Sequence, residues 1–124
     1  MIANLNPAQK QAVTSNNQHI LILAGAGSGK TKVLVERIAY LIREQFASPM
    51  EIIAVTFTNK AAREMLSRLN QELAFPSQSM WVGTFHGLAH RFLRLHASEA
   101  GLPESFQILD ADDQLRLIKR LLKE

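Results

Sequence analysis

Ala24-Gly25-Ala26-Gly27-Ser28-Gly29-Lys30-Thr31 decides how this 124-residue chain is read. The stretch before it, His19-Ile20-Leu21-Ile22-Leu23-Ala24, is a short apolar run that stops at glycines and predicts a strand buried on both faces. After it, Val33, Leu34, Ile38, Leu41 and Ile42 recur at helical spacing. They predict a helix from Lys30 to about Phe46, broken by Ser48-Pro49. A glycine-rich turn between a strand and a helix is a phosphate cradle: small residues let successive backbone N–H groups curl around an anion, and the helix turns its positive end toward it. Lys30 is placed to reach the outer phosphates and the Thr31 hydroxyl to ligate Mg²⁺, so a nucleoside triphosphate is the expected ligand. The general pattern has glycine where this chain has Ala24, which is tolerable if that residue keeps a negative φ. The competing reading is a glycine-rich turn that merely precedes Lys-Thr, and it leaves the strand before and the helix after unexplained.

Outward from the loop the alternation continues. Asn6-Pro7-Ala8-Gln9 has the form of a helix start, with Asn6 as cap, proline at the first helical position and glutamine three residues after the cap. Ile52 to Phe57 predicts a second strand and Lys60 to about Leu73 a second helix. Met80 to Thr84 predicts a third strand, followed by a helix from about Phe85 that ends near Gly101, before Pro103. Asp110-Ala111-Asp112-Asp113 places acid where a helix N-terminus favours it and opens a last helix carrying Leu115, Leu117, Ile118, Leu121 and Leu122. Strand and helix in alternation imply an α/β layered domain with parallel strands and flanking helices.

Composition bounds the class. Apolar residues make up 47% and charged residues 20%, the balance of a globular chain, and no apolar run approaches the roughly 20 residues that span a bilayer. Met1-Ile2-Ala3-Asn4 lacks the basic lead of a secretory signal, and the absence of cysteine removes disulfides and thiolate metal sites; a cytoplasmic protein is expected. The net charge of +3 is uneven. Up to Arg94 ten Lys/Arg face five Asp/Glu, and from Leu95 onward four face six. A basic front is compatible with phosphate-bearing partners.

A phosphate loop does not say what the energy drives. Four segments taken in order do: Leu5 to Val13 (LNPAQKQAV), the phosphate loop, Ala54 to Ala62 (AVTFTNKAA), and Val82 to Leu88 (VGTFHGL). Together they resemble the superfamily 1 DNA helicases of the UvrD, Rep and PcrA type, over essentially the whole chain. Phe106-Gln107-Ile108-Leu109-Asp110 and the helix after it resemble the UvrD branch. The resemblance implies part of a RecA-like ATP-binding motor domain over residues 1–90 and the start of a helical insertion over 91–124. It implies ATP and Mg²⁺ as cofactors, single-stranded DNA as partner (a 3′-tailed duplex for the complete protein), and 3′-to-5′ DNA helicase activity in repair or replication. The alternatives are a phosphate-loop kinase or switch, and a stand-alone nucleotide-binding module without helicase activity.

Residue by residue, the resemblance assigns the nucleotide to Gln9, Ala24, Gly25, Ala26, Gly27, Ser28, Gly29, Lys30, Thr31 and Lys32, with Lys30 and Thr31 catalytic. Gln9 can present a donor and an acceptor to adenine, or it can simply complete a capping box. The family usually has Arg at position 32, and Lys32 offers no flat guanidinium to lie on the base. Thr56, Phe57, Asn59, Lys60, Thr84 and His86 are assigned to DNA, with Phe57 offering a π-face to a base; the alternative places Phe57 in the core. His86 and His90, four apart on one helix, invite a metal reading, but no third ligand or intervening Glu accompanies them. His90, Arg91, Arg94 and His96 read as a solvated basic face.

In the resembled family the carboxylates that hold Mg²⁺, the arginines of a second motor domain, and strands lying between 19–24 and 52–57 come from later motifs. These 124 residues are therefore expected to be an N-terminal piece without ATP turnover of its own. Its three strands are expected either to pair among themselves in another order or to draw two chains together through unpaired edges.

Overall fold

The fold, taken from a computed structural model that describes residues 4–74 and 76–124, is organised by two of the apolar runs. β1 (Ile53–Thr56) and β2 (Trp81–Thr84) pair in parallel, with Ile53 opposite Trp81 and Thr56 opposite Thr84. Between them α3 (Asn59–Glu72) makes the connection that a parallel pair requires. The helix starts where the Thr58 hydroxyl accepts from the Ala61 N–H, and its apolar positions Ala62, Met65, Leu66 and Leu69 form one stripe. That stripe meets the inward face of the sheet. Ala54 and Val82 are buried beneath it, whereas Ile53 and Val55, one step along the strand, point to the open face. Ser77 fixes the return to β2: its buried backbone N–H and hydroxyl both donate to Asn70 Oδ1, at 2.9 and 2.7 Å.

α2 (Lys30–Arg43) completes the core with Val35, Ile38 and Ala39. It stops short of the expected Phe46 because Gln45 takes φ 60°, and the Phe46 and Ala47 N–H groups turn back onto the Leu41 carbonyl. α1 (Pro7–Thr14) begins at Asn6 with both halves of the expected capping box and buries Val13. Arg37 of α2 donates to the Val13 and Ser15 carbonyls at 2.8 and 2.6 Å, so a cation closes the negative end of α1.

α4 (Phe85–Leu95) is shorter than expected as a regular helix, yet its closing motif falls at Gly101. Gly101 has φ +69°, its N–H donates to the Ser98 carbonyl and the Leu102 N–H donates to Ala97, which is how a left-handed glycine satisfies the last carbonyls. α5 (Ala111–Leu121) is capped by the Asp110 carboxylate on the Asp113 N–H and carries acid in its first turn and base in its last. The chain divides into two compact units, Met1–Leu88 and Ala89–Glu124, the division falling inside α4. Residues 1–3, on which the leader reading partly rests, lie outside the described residues. Among the described residues no helix is long and apolar enough to cross a membrane.

One expectation fails. Residues 19–24 form no strand, and they pair with neither β1 nor β2. Leu21 and Leu23 are 84% and 88% exposed. The idea that three strands would pair among themselves in another order falls with it. Apolar side chains favour an extended backbone, but the ladder of N–H and C=O bonds must come from a neighbouring strand. Here β1 and β2 supply it only to each other.

Candidate functional site

The phosphate loop is shaped by two left-handed glycines. Gly27 has φ +73° and Gly29 φ +83°, a backbone region that side chains with a Cβ avoid. Between them the Ser28 N–H and hydroxyl both turn onto the Gly25 carbonyl, closing the loop on itself. Gly29 is the N-cap of α2 and makes no side-chain cap hydrogen bond at the helix end where Lys30 and Thr31 stand, both exposed. Gly25 lacks a positive φ, and a methyl built there would meet no protein atom within 4 Å. The protein's own packing therefore does not require glycine at 25. An open helix end, a free ammonium and a threonine hydroxyl fit a phosphate chain with Mg²⁺. Beside the loop a cleft of about 260 Å³ is bounded by Gln9, Ile22, Leu23, Ala24, Ser28 and Lys30.

Gln9 does more than cap. Its Oε1 accepts from the Asn6 N–H at 3.0 Å, completing the capping box, and its Nε2 donates to the Ser28 carbonyl at 3.2 Å. Lys32 extends the same contact between the loop side and the N-terminal segment: Nζ donates to the Asn4 carbonyl at 3.3 Å. Of the residues expected at the nucleotide, Gln9 and Ser28 are thus brought into direct contact.

The second region lies at the ends of the two strands. Phe57 follows β1 and is 91% exposed, which excludes the core reading within this chain. Because Thr56 and Thr84 are register partners, the residues after them emerge side by side, and the rings of Phe57 and Phe85 lie 5.7 Å apart at 52°. Asn59 and Lys60 are the exposed first residues of α3, and His86 is exposed in the first turn of α4. The two threonines are tied inward: Thr56 Oγ1 donates to the Thr58 carbonyl at 3.1 Å, and Thr84 Oγ1 accepts from the Gly87 N–H at 3.0 Å. Phe85 carried no role in the sequence reading. The signal was available, since the dipeptide Thr-Phe ends both runs, at 56–57 and 84–85.

In the unit from Ala89 onward the expected solvated basic face is partly a packing cluster. Arg94 lies 4.3 Å over the Phe106 ring, donates from Nη1 to the Glu104 carbonyl at 2.8 Å, and donates from Nε to His90 Nε2 at 3.1 Å. His90 meets the same ring edge-on at 5.8 Å. An aromatic side chain ten or more residues downstream attracts the guanidinium, which helical spacing alone could not reveal.

The pattern describing the UvrD/REP helicase N-terminal domain matches residues 5–124. This chain belongs to the UvrD/REP helicase family. DNA helicase II of Escherichia coli (strain K12) is 57% identical over 123 residues, covering 99% of this chain and 17% of that protein. DNA helicase II of Haemophilus influenzae (strain ATCC 51907 / DSM 11121 / KW20 / Rd) is 54% identical over 127 residues, 99% of this chain and 18% of that protein. The ATP-dependent DNA helicase PcrA of Bacillus subtilis (strain 168) is 47% identical over 124 residues, 100% of this chain and 17% of that protein. The chain thus spans about a sixth of the length of these UvrD/REP relatives. The match takes in both regions, the Gln9–glycine-loop cleft and the paired strand ends.

Proposed function

We propose that this chain is the ATP-binding and single-stranded-DNA-contacting part of an ATP-dependent 3′-to-5′ DNA helicase of repair or replication, acting in the cytoplasm. Residues 1–90 belong to a RecA-like phosphate-loop motor domain and 91–124 begin a helical insertion. The observation that carries this reading is the exposed Phe57–Phe85 pair at the ends of two parallel strands, in a chain that also holds an open glycine loop at a helix N-terminus. A kinase or switch has use for the loop and none for the ring pair. The family and the printed names of the relatives, DNA helicases in each case and ATP-dependent for PcrA, favour the same reading.

Residues 24–29 wrap the phosphates with backbone N–H groups, Lys30 neutralises the outer phosphates, and the Thr31 hydroxyl holds Mg²⁺. Gln9 faces adenine across the cleft, with Lys32 beside it. Hydrolysis of Mg·ATP supplies the free energy when the nucleotide is bound. At the strand ends Phe57 stacks on a base, Asn59 makes a polar contact, Lys60 meets a phosphate, and Thr84 and His86 contact the DNA backbone, with Thr56 part of the same DNA-contacting segment.

The direct test is ATP hydrolysis by the full-length protein with and without single-stranded DNA. The rate is expected to rise on adding DNA and to vanish in Lys30→Ala. Hydrolysis indifferent to DNA would return the chain to the kinase and switch class.

A further inference from the structure

α1 is held against α2 at both ends. At its C-terminal end the Arg37 guanidinium grips the Val13 and Ser15 carbonyls, and Val13 and Val33 are both buried. At its N-terminal end the Gln9 carboxamide hydrogen-bonds to the loop that leads into α2. Chemistry fixes the orientation of that amide, because the Asn6 N–H can only donate and the Ser28 carbonyl can only accept. Oxygen must therefore face Asn6 and nitrogen must face Ser28. Gly29 seals the contact: a methyl on its Cα would lie 3.1 Å from Gln9 Nε2, and its φ of +83° is the turn that starts α2. Lys32 adds a second tie from α2 to the segment before α1 through the Asn4 carbonyl. The residues that flank the loop's last turn are therefore anchored to α1, while residues 20–24, which lead into the loop, have no strand partner to hold them.

We infer that Gln9 is a positioning residue of the phosphate loop: its Nε2–H to the Ser28 carbonyl holds the Ser28–Gly29 turn in the shape that aims the α2 N-terminus at the phosphates. This rests on the nucleotide reading above and goes beyond a role for Gln9 at the base. The carboxamide has two N–H groups and two acceptor lone pairs, and the cap and the loop each consume one. One donor and one acceptor remain for a base. The same side chain therefore links the base end of the cleft to the phosphate end, and a base that pulls on the amide pulls on the loop.

The test compares Gln9→Met, which keeps side-chain length and removes both hydrogen bonds, with Asn6→Ala, which damages the α1 cap and leaves the Gln9 amide intact. Two readouts are taken on the full-length protein: amide hydrogen exchange of residues 25–31 without ligand, and affinity for Mg·ATP and for inorganic tripolyphosphate by displacement of a fluorescent nucleotide. In Gln9→Met, exchange at the loop is expected to accelerate while α3 stays protected. Both ligands are expected to weaken by a similar factor, about tenfold at most for one hydrogen bond. Asn6→Ala is expected to leave loop exchange and tripolyphosphate affinity close to wild type. The inference is overturned if Gln9→Met weakens ATP alone, which confines the residue to the base. It is overturned equally if Asn6→Ala reproduces every effect, which makes α1 stability the cause. A wild-type protein that binds neither ligand sinks the nucleotide reading itself, a failure the unliganded exchange data distinguish from that of the clamp.

Discussion

Two runs of nearly equal composition, Ile20 to Ala24 and Ile52 to Thr56, meet opposite fates. Both are aliphatic, both end at a loop with a proposed function, and both precede a helix. The second becomes β1, gains β2 as a partner and buries Ala54 against α3. The first forms no strand among the described residues, with a hollow of about 330 Å³ between Ile20–Leu23 and residues of α1. The difference lies in the neighbours. β1 has a connection, α3, that returns the chain alongside it in register. The run at 20–24 is followed by α2, which packs into the core through Val35, Ile38 and Ala39, and no described strand lies beside the run. The two loops are accordingly held by different means, the Phe57 loop by a sheet and a core, the glycine loop by its own turns and by side-chain ties to α1 and the segment before it.

If that contrast is right, truncations at the two places differ most of all in stability. Leu69→Ala, at the fully buried centre of the α3 stripe, is expected to cost about 2–5 kcal/mol in denaturant unfolding. Leu23→Ala is expected to stay within about 0.5 kcal/mol in the same 124 residues. A Leu23 cost comparable to that of Leu69 breaks the comparison and means that the run is covered in solution, with a second copy of the chain the first candidate to examine by sedimentation.

The sheet-held end is sharpened by a binding measurement. Phe57→Ala is expected to weaken single-stranded DNA binding of the full-length protein by about 1–3 kcal/mol, the range for one base–aromatic stack. The salt slope should barely move, because no phosphate contact is lost. A flattened salt slope with unchanged low-salt affinity would assign DNA to the cationic residues around Lys60 and leave the ring pair without that role.

Much of this was legible in the sequence because local chemistry carried it. Asn6-Pro7-Ala8-Gln9 spells a capping box, the acidic run from Asp110 opens the helix it precedes, and the glycine loop announces its own turns; the Thr58 cap, which lies before the expected helix start at Lys60, was not read. What was not legible depended on distant partners. Whether 19–24 pairs depends on which strand lies beside it, and no local pattern contains that. Arg94 read as solvated because Phe106, which it covers, lies beyond its helix. The second function of the Gln9 amide was hidden for the same reason, since Ser28 is nineteen residues away. Phe85 is different: its pairing with Phe57 followed from the register of two Thr-Phe ends, and could have been drawn once the strands were taken as parallel neighbours.

The smallest expected effect concerns the tie between α2 and α3. Arg43 Nη2 donates to the Glu72 carboxylate at 2.8 Å and to the Glu72 carbonyl at 2.7 Å. That hydrogen bond holds the Glu72 carboxyl below the usual carboxylate range, against the opposing effect of partial burial. A lowered folded value means that the contribution is complete above the ordinary carboxylate titration, near pH 4, and is lost as pH falls through the lowered value. Both side chains are partly solvated, so the contribution is a few tenths of a kcal/mol. Arg43→Gln should lower stability at neutral pH by that amount and leave it unchanged below the lowered Glu72 value, so the acid limb of the stability–pH curve is flatter. An acid limb identical to wild type would remove the pair from the account.

The central claim is that residues 24–31 cradle a triphosphate although the run before them has no strand partner. Calorimetric titration of ATP and ADP, each with Mg²⁺, into the full-length protein and its Lys30→Ala variant tests it most directly. Because Lys30 is proposed to meet the outermost phosphates, the variant is expected to lose far more affinity for ATP than for ADP. Equal losses for the two nucleotides, or none, would contradict it.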